Sequence, residues 1–277
     1  MDRRHADPGA EDPRADKPGR DEPRRDTRGI LDPARLLRRV RFRRHGPAPA
    51  LRPYVEHYWL IDWDLDEPFA QHVLPHPAVN LVFQRYHDQP EFAELAGVGR
   101  RLFSIELDST GRVCGVQFRP GGFRPFWRRS VSTLTGRQIP FRTDAGPVCA
   151  GTDDERCRAL DAVLTGLDPR PDPAVAEAVR LVELIRRDRT VLRVEEFARG
   201  QGVSVRTLQR LFTEYVGVSP KWVILRYRLH EAIERATDSP DWAGLAADLG
   251  YSDQAHLIRD VRSAIGLPPA AYARGLA

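Results

Sequence analysis

The sequence predicts an α+β protein of two domains, an N-terminal all-β barrel or sandwich and a C-terminal all-α tandem helix-turn-helix. Short aromatic and β-branched segments, separated by Pro, Gly and Asp, run from about Pro53 to Phe141 and indicate strands. A helical unit is repeated near the C-terminus. The 277 residues leave room for about two domains with proper cores.

Residues 1–29 are rich in Pro, Gly, Asp and Arg and contain almost no apolar side chains. Such a segment buries too little surface to offset its ordering entropy, so we expect a disordered tail. Its acids alternate with its arginines, which favours a solvated tail over a basic arm that contacts DNA.

Residues 30–150 are predicted to form the β-rich domain. Its strand-like segments include HYWLIDWDL, NLVFQRY, RLFSIEL and CGVQFRP. Arg119 and Arg124 flank a Pro-Gly-Gly turn, where they could bind an anionic effector, although an exposed loop is an equal alternative. His76 and Asn80 are further candidates for lining an effector cavity, with structural roles as the simpler alternative.

Residues 151–188 are predicted to form a helical connector. Two helical segments, around ALDAVLTGL and PAVAEAVRLVELIRR, are interrupted by DPRPDP. We expect them to join the β-rich domain to a helical domain at residues 189–277.

The repeat defines that helical domain. FARGQGVS, at residues 197–204, recurs forty-eight positions later as LAADLGYS, and the offset then becomes forty-nine. Each copy predicts a helix, a turn at Gly202 or Gly250, and a second helix. The second helix is capped by Ser204 in the first unit and by Ser252 or Asp253 in the second.

The second helix of each unit has one apolar and one polar face. Leu208, Leu211 and Phe212 share a buried face by their spacing. The side chains left outside are Arg206, Gln209, Arg210 and Thr213 in the first unit and Gln254, His256, Arg259 and Arg262 in the second. Arg and Gln pair bidentately with guanine and adenine in a major groove. The alternative is that these are ordinary solvated helix faces, but the presence of a similar polar face in both units favours contact with DNA.

Between the units a helix is predicted from Pro220 to about Ala236. At about 1.5 Å per residue it spans roughly 25 Å, enough to hold two recognition helices about one DNA turn apart. Lys221, Arg226, Tyr227 and Arg228 are candidate phosphate contacts. For Tyr227 and Trp222 we favour packing in the core.

Residues 191–274 resemble the DNA-binding domain of the bacterial AraC/XylS transcription regulators. The family pattern is present as GVSVRTLQRLFTEYVGVSP and LAADLGYSDQAHLIRDVRSAIG, although Val261 replaces the usual aromatic and Pro268-Pro269 the closing SP. The resemblance implies base contacts from Arg206, Gln209, Arg210, Gln254, His256 and Arg259. We expect phosphate contacts from Ser204, Lys221, Arg226, Ser252 and Arg262.

The same resemblance implies that the β-rich domain is a cupin-like sensor, because GVQFRPGGFRPF is similar to a segment of one subgroup with an uncharacterised sensor. The expected partners are double-stranded DNA and an unknown small-molecule effector, which would shift the population of DNA-competent geometries. RNA polymerase and a homodimer partner are further candidates. We expect no cofactor and no enzymatic activity.

Two alternatives remain open. A metal-dependent cupin enzyme would use histidines such as His72, His76 and His87, but the His-x-His pattern of metal cupins is absent, so no metal is expected. A DNA alkylation-repair protein would need an activated cysteine, usually with zinc-spaced cysteines nearby. The chain has only Cys114, Cys149 and Cys157, without such spacing, and we expect reduced thiols.

The net charge of +4 and pI near 9.2 suit a polyanionic partner without demanding one. No apolar run approaches the roughly twenty residues of a membrane span, and the first thirty residues are charged. The expectation is a soluble, cytoplasmic protein.

Overall fold

The computed structural model describes Thr27 and residues 29–87, 89–235 and 241–268. It confirms the α+β, two-domain architecture: an antiparallel sheet comes first and a bundle of helices follows. We call the described residues from 29 to 166 the β-domain and those from 173 to 268 the helical domain.

The β-domain is built on one six-stranded sheet. Its strands are β1 (Val40–His45), β2 (Val55–Val73), β3 (Asn80–Tyr86), β4 (Phe92–Ala96), β5 (Phe103–Phe118) and β6 (Gln138–Phe141). The order across the sheet is β1-β2-β5-β3-β4-β6, and every neighbouring pair is antiparallel. The pairing of the long strands β2 and β5 shifts register between Leu65 and Phe69, an irregularity of the kind that bends a strand pair.

Both faces of the sheet carry an apolar core. On one face a row of directly opposed residues, Leu60, Cys114 and Phe83, belongs to a cluster that also contains Leu160 and Leu164. On the other face Trp63 and Val113 form a second cluster, with Phe69 and Leu107 from beyond the irregularity. The predicted barrel or sandwich therefore takes the form of one sheet with a core on each face.

Among the described residues the α-helices are α1 (Pro33–Arg39), α2 (Arg124–Trp127), α3 (Asp153–Gly166), α4 (Pro173–Arg187), α5 (Val194–Gly200), α6 (Val205–Leu211), α7 (Pro220–Glu234), α8 (Trp242–Asp248) and α9 (Gln254–Ile265). A π-helical turn, Phe212–Val216, follows α6.

The predicted connector does not act as one unit. Leu160 and Leu164 of α3 pack in the core of the sheet, whereas Leu181 and Ile185 of α4 pack with the apolar side chains of α5 to α7. The predicted connector is therefore divided between the two domains, because each of its helices packs in the core of one of them.

The predicted disordered tail lies outside the described residues except at Thr27 and Gly29. The Gly29 carbonyl accepts a hydrogen bond from the Leu74 N–H (2.6 Å), and Ile30 forms a β-bridge with Val73. Gly29, the last residue of the predicted tail, is thus hydrogen-bonded to the β-domain. Within the described chain, no helix combines the length and the apolar composition of a membrane span.

Two loops of the β-domain reach into the helical domain. We call them the insertion loops, residues 74–79 and 97–102. Leu74 is fully buried in a cluster with Leu229 of α7 and Leu257 of α9. Val98 is fully buried in a cluster with Phe212 and Val223. Each loop thus supplies a core side chain to one half of the helical domain.

Candidate nucleic-acid interface

The first helix-turn-helix unit is closed by backbone hydrogen bonds. The Val203 N–H donates to the Ala198 carbonyl (3.0 Å) and the Gly202 N–H donates to the Arg199 carbonyl (3.0 Å). Gly202 has φ +67°, a left-handed conformation that favours glycine. The turn therefore ends α5 and directs the chain into α6.

The second unit repeats this geometry. The Tyr251 N–H donates to the Ala246 carbonyl (2.9 Å), the Gly250 N–H donates to the Ala247 carbonyl (3.0 Å), and Gly250 has φ +68°. The sequence repeat is confirmed as a structural repeat, down to individual hydrogen bonds of the turn.

The two units differ in how the second helix begins. In the first unit the Ser204 hydroxyl accepts a hydrogen bond from the Thr207 N–H (3.0 Å). In the second unit the cap is Asp253, whose carboxylate accepts from the His256 N–H (2.7 Å), while the Ser252 hydroxyl donates to the same carboxylate (3.1 Å). The sequence left Ser252 and Asp253 as alternatives, and the structure selects Asp253.

The second unit therefore has one extra residue before its cap, which explains the change of offset from forty-eight to forty-nine. Aligned on their caps, α6 and α9 place Arg210 opposite Arg259. The counterparts of Arg206 and Gln209 are Ala255 and Ile258. Only one of the first unit's three predicted base-reading side chains has a polar counterpart in the second.

The predicted base-contacting residues lie mostly on solvent-exposed helix faces. Leu208 of α6 and Phe212, which follows α6 directly, are fully buried. The exposed candidates are Arg206, Gln209, Arg210, Gln254 and Arg259.

His256 is the exception, being half-buried. Its Nδ1 lies 3.2 Å from the Ser252 hydroxyl, its Nε2 lies 3.8 Å from Asp260, and its ring meets the Tyr251 ring edge-on at 5.1 Å. The imidazole is thus already engaged within its own unit.

The predicted phosphate contacts fall into two groups. Ser204, Lys221, Ser252 and Arg262 are exposed. Arg226, by contrast, is 4% exposed, and its guanidinium donates to the carbonyls of Pro75 (3.3 Å) and Arg100 (3.0 Å) and lies 4.4 Å from the Trp222 ring centroid. The phosphate contact expected from Arg226 stays a prediction, but in this arrangement the side chain joins the two domains instead of facing solvent.

Burial lowers the pKa of Arg226 to about 10, which still leaves the side chain protonated at neutral pH. The charge is desolvated, and among the described residues these two carbonyls are the hydrogen-bond acceptors of the guanidinium. Spacing along α7 could not identify this role because the helix is buried against the insertion loops as well as its own domain.

The other cationic candidate on α7, Arg228, is half-buried with its guanidinium 4.0 Å from the Tyr251 ring centroid. Tyr227 packs against the cluster that holds α4, α5 and α6, as does Trp222, so the expected core packing of both is confirmed.

The β-domain also contacts the π-helical turn that follows α6. The Ser130 hydroxyl donates to the Thr213 carbonyl (3.2 Å), and the Thr135 hydroxyl donates to the Gly217 carbonyl (2.6 Å). Gly217 has φ +91° and ends the π-helical turn after α6. Sequence reasoning missed both contacts, because a serine and a threonine in a loop carry no signal of a distant partner.

The four effector candidates have different partners. His76 stacks on His230 of α7 with ring centroids 4.3 Å apart, and Asn80 opens β3 opposite Ala96 and Gln117. Arg119 forms an ion pair with Glu56 (3.0 Å).

Arg124 forms an ion pair with Asp172 (3.1 Å) and lies over the Tyr215 ring at 4.9 Å. An anion bound by Arg119 or Arg124 would have to compete with these carboxylates.

The cysteines are poor candidates for an activated thiolate. A hydrogen bond with the Cys114 thiol, together with burial, raises the pKa of Cys149 far above its usual range. Burial raises the pKa of Cys157 to about 12. Both thiols are thus protonated at neutral pH, the opposite of what alkyl transfer to sulfur needs. In the described parts of the chain, no three His, Cys, Asp or Glu side chains are grouped as metal ligands.

Two family models match parts of the chain. Residues 197–275 match the model described as "Helix-turn-helix domain", and residues 43–140 match "Domain of unknown function (DUF6597)". The first match covers both units described above, and the second covers the sheet from the middle of β1 into β6.

Solved structures give partial resemblances. The C-terminal domain of AraT, a response regulator from Geobacillus stearothermophilus, is 24% identical, with coverage of 38% of this chain and 88% of that one and a TM-score of 0.34. ToxT from Vibrio cholerae O395 is 11% identical, with coverage of 79% and 97% and a TM-score of 0.42. The same protein bound to (E)-4-(8-methylnaphthalen-1-yl)but-3-enoic acid is 12% identical, with coverage of 79% and 98% and a TM-score of 0.43.

Proposed function

We propose, from the premise that the C-terminal region is an AraC-type helix-turn-helix domain, that this DNA-binding transcription regulator is controlled by its β-domain. In this proposal the β-domain is a sensor that binds a small effector, and the protein acts by binding and not by catalysis. The observation that carries the proposal is the burial of α7 between the two reading units and the insertion loops.

The two units provide the DNA-reading surface of the proposal. α6 presents Arg206, Gln209 and Arg210 to solvent, and these side chains match the bidentate donors and acceptors of guanine and adenine. α9 presents Gln254 and Arg259, with fewer polar side chains at the equivalent positions. We therefore infer that the first unit supplies more of the base discrimination than the second.

The insertion loops provide the coupling. Leu74 packs with the second unit and Val98 with the first, while Arg226 joins both loops to α7. A change in the position of these loops alters the support of both units at once. An effector that binds the β-domain differently in two loop arrangements would shift the population of DNA-competent geometries.

The central test is selection of bound fragments from random-sequence DNA by the purified full chain at two salt concentrations. Tandem reading predicts a motif of two short blocks about ten base pairs apart, one on each of two successive major-groove faces. Recovery of DNA without a motif, lost at the higher salt, would indicate non-specific phosphate binding and contradict sequence-specific reading.

Removing the β-domain should change the affinity for the selected site. A fragment from Asp172 to the C-terminus keeps the N-cap of α4 but lacks Leu74, Val98 and the acceptors of Arg226. Titration of labelled DNA would compare the fragment with the full chain, and circular dichroism would establish that the fragment is folded. A folded fragment that binds with unchanged affinity and keeps its regulation in cells would contradict the coupling.

Lys221→Ala should weaken binding to all DNA sequences alike. Lys221 is exposed at the second position of α7, where an ammonium group acts on phosphates as a point charge. We expect the slope of log affinity against log salt to decrease by about 1. The control is Arg142→Ala, which removes an exposed charge beyond β6 and should leave the slope unchanged. A loss confined to the selected site would show that Lys221 discriminates between sequences.

A further inference from the structure

A row of charged residues crosses four strands of the sheet. In direct register, Arg41 of β1 is opposite Asp62 of β2, Asp62 is opposite Arg112 of β5, and Arg112 is opposite Arg85 of β3. The last pair places two arginines side by side. Like charges directly opposite each other destabilise a sheet unless something neutralises them.

The carboxylate of Asp62 already forms ion pairs with two other arginines. It lies 2.7 Å from Arg156 and 2.6 Å from Arg43, both of which are largely buried, whereas its nearest contact with Arg112 is 3.8 Å. The Arg112 side chain remains 46% exposed. Asp62 therefore stabilises the buried arginines and leaves most of the Arg112 guanidinium available.

The positive charge of Arg85 is less compensated by carboxylates than that of Arg112. Its side chain is exposed, and no carboxylate of the described residues forms an ion pair with it. Arg39, which precedes β1, is in the same situation. The sheet thus concentrates positive charge at this end of the face, beyond the apolar row of Leu60, Cys114 and Phe83.

These side chains line a cleft of about 600 Å³. Arg39, Arg41, Arg85 and Arg112 line it together with two carboxylates, Asp62 and Asp64. We call this space the arginine cleft. Its volume lies within the range of small-molecule sites, roughly 300–1,000 Å³.

A second cavity of about 680 Å³ adjoins the arginine cleft and shares Arg41, Asp62 and Arg112 with it. Arg156, whose side chain is 4% exposed, lines this second cavity. Its Nη1 is held by Asp62, but its Nε has no hydrogen-bond partner among the described residues. A buried guanidinium N–H without an acceptor adds to the unused capacity for binding anions.

We propose that the arginine cleft binds a small oxyanion, a carboxylate or phosphate group that bridges Arg85 and Arg112. A guanidinium presents two parallel N–H donors, so two opposed arginines match the oxygens of one such group. The bound charge removes the repulsion across the β3–β5 pair. This inference rests on the proposed function, since it makes the bound molecule the anionic effector of the sensor.

The test is thermal unfolding of the full chain with sodium phosphate or sodium citrate, against sodium chloride at equal ionic strength. A ligand that binds only the folded state raises Tm, and we expect a saturable rise on the order of a few degrees with at least one anion. A rise with phosphate alone identifies a phosphate ligand, and a rise with citrate alone identifies a carboxylate ligand. Equal unfolding curves in all three salts would overturn the proposal.

Variants locate the binding. R85Q combined with R112Q should abolish the rise, and without added anion its Tm should equal or exceed that of the unaltered protein, because the repulsion is gone. Arg142→Gln removes an exposed charge outside the cleft and should keep the full rise. A rise that persists in the double variant would place the anion elsewhere and overturn the assignment.

DNA binding by the same variants separates this proposal from the proposed function. If the double variant lowers the salt slope for random-sequence DNA while no small anion raises Tm, the cleft contacts DNA phosphates and the proposal is overturned. A protein that binds anions in the cleft but selects no DNA motif would support the cleft and contradict sequence-specific reading. A protein that selects a DNA motif but responds to neither anion would support sequence-specific reading and contradict anion binding in the cleft.

Discussion

Arg210→Ala is expected to weaken binding to the selected site by about 1–3 kcal/mol, and to relax the preference at one base pair. Arg210 is exposed on α6, and Arg259 occupies the equivalent place on α9. A guanidinium that pairs with the O6 and N7 of guanine loses both hydrogen bonds on truncation, whereas non-specific binding loses one charge. Titration of the selected site, of its single-base variants and of random DNA would measure the two effects.

The matched control is Arg199→Ala. Arg199 is exposed at the end of α5, in the same unit, and its backbone carbonyl closes the turn independently of its side chain. Its loss removes the same formal charge without touching α6. If Arg210→Ala and Arg199→Ala reduce binding to specific and random DNA to the same extent, Arg210 does not read a base.

Leu74→Ala should lower the free energy of unfolding by about 2–5 kcal/mol, the range for truncating a buried leucine. Leu74 belongs to the β-domain by sequence but lies fully buried in the core of the second unit. Its truncation removes apolar contacts from both domains and leaves a cavity between them. Chemical denaturation monitored separately for the β-domain and the helices would show the loss.

Leu37→Ala provides the comparison, because Leu37 is half exposed on α1 and its truncation should cost less than about 0.5 kcal/mol. Equal destabilisation by both substitutions would show that the insertion loop contributes nothing to the helical core. We also expect Leu74→Ala to separate the unfolding transitions of the two domains, since the substitution weakens their shared core.

Much of the helical domain follows from the sequence because its information is local. Gly202 and Gly250 mark the turns, and the apolar spacing of Leu208 and Phe212 defines the buried face of α6 and of the turn that follows it. The same locality explains why the exposed base-reading candidates on α6 could be named in advance. Their contact with DNA stays a prediction.

The domain contacts could not be predicted because they depend on residues far apart in the chain. Arg226 has the sequence context of a surface cation, and only the approach of Pro75 and Arg100 buries it. The arginine cleft was missed for a related reason. Arg85 and Arg112 become neighbours only through the register of β3 and β5, which no local pattern encodes.

The extra residue before Asp253 has a consequence for any attempt to re-target the protein. Suppose that base-contacting residues of α6 were transferred to α9 with the offset of forty-eight that relates the first parts of the two units. Each residue would then lie one position too early on α9, and its side chain would be rotated by about 100° around the helix axis. A transplanted guanine reader would then face the protein core or the DNA backbone. The positions must instead be counted from the N-cap of each helix. The residues of α6 that are expected to contact bases then correspond to Ala255, Ile258 and Arg259.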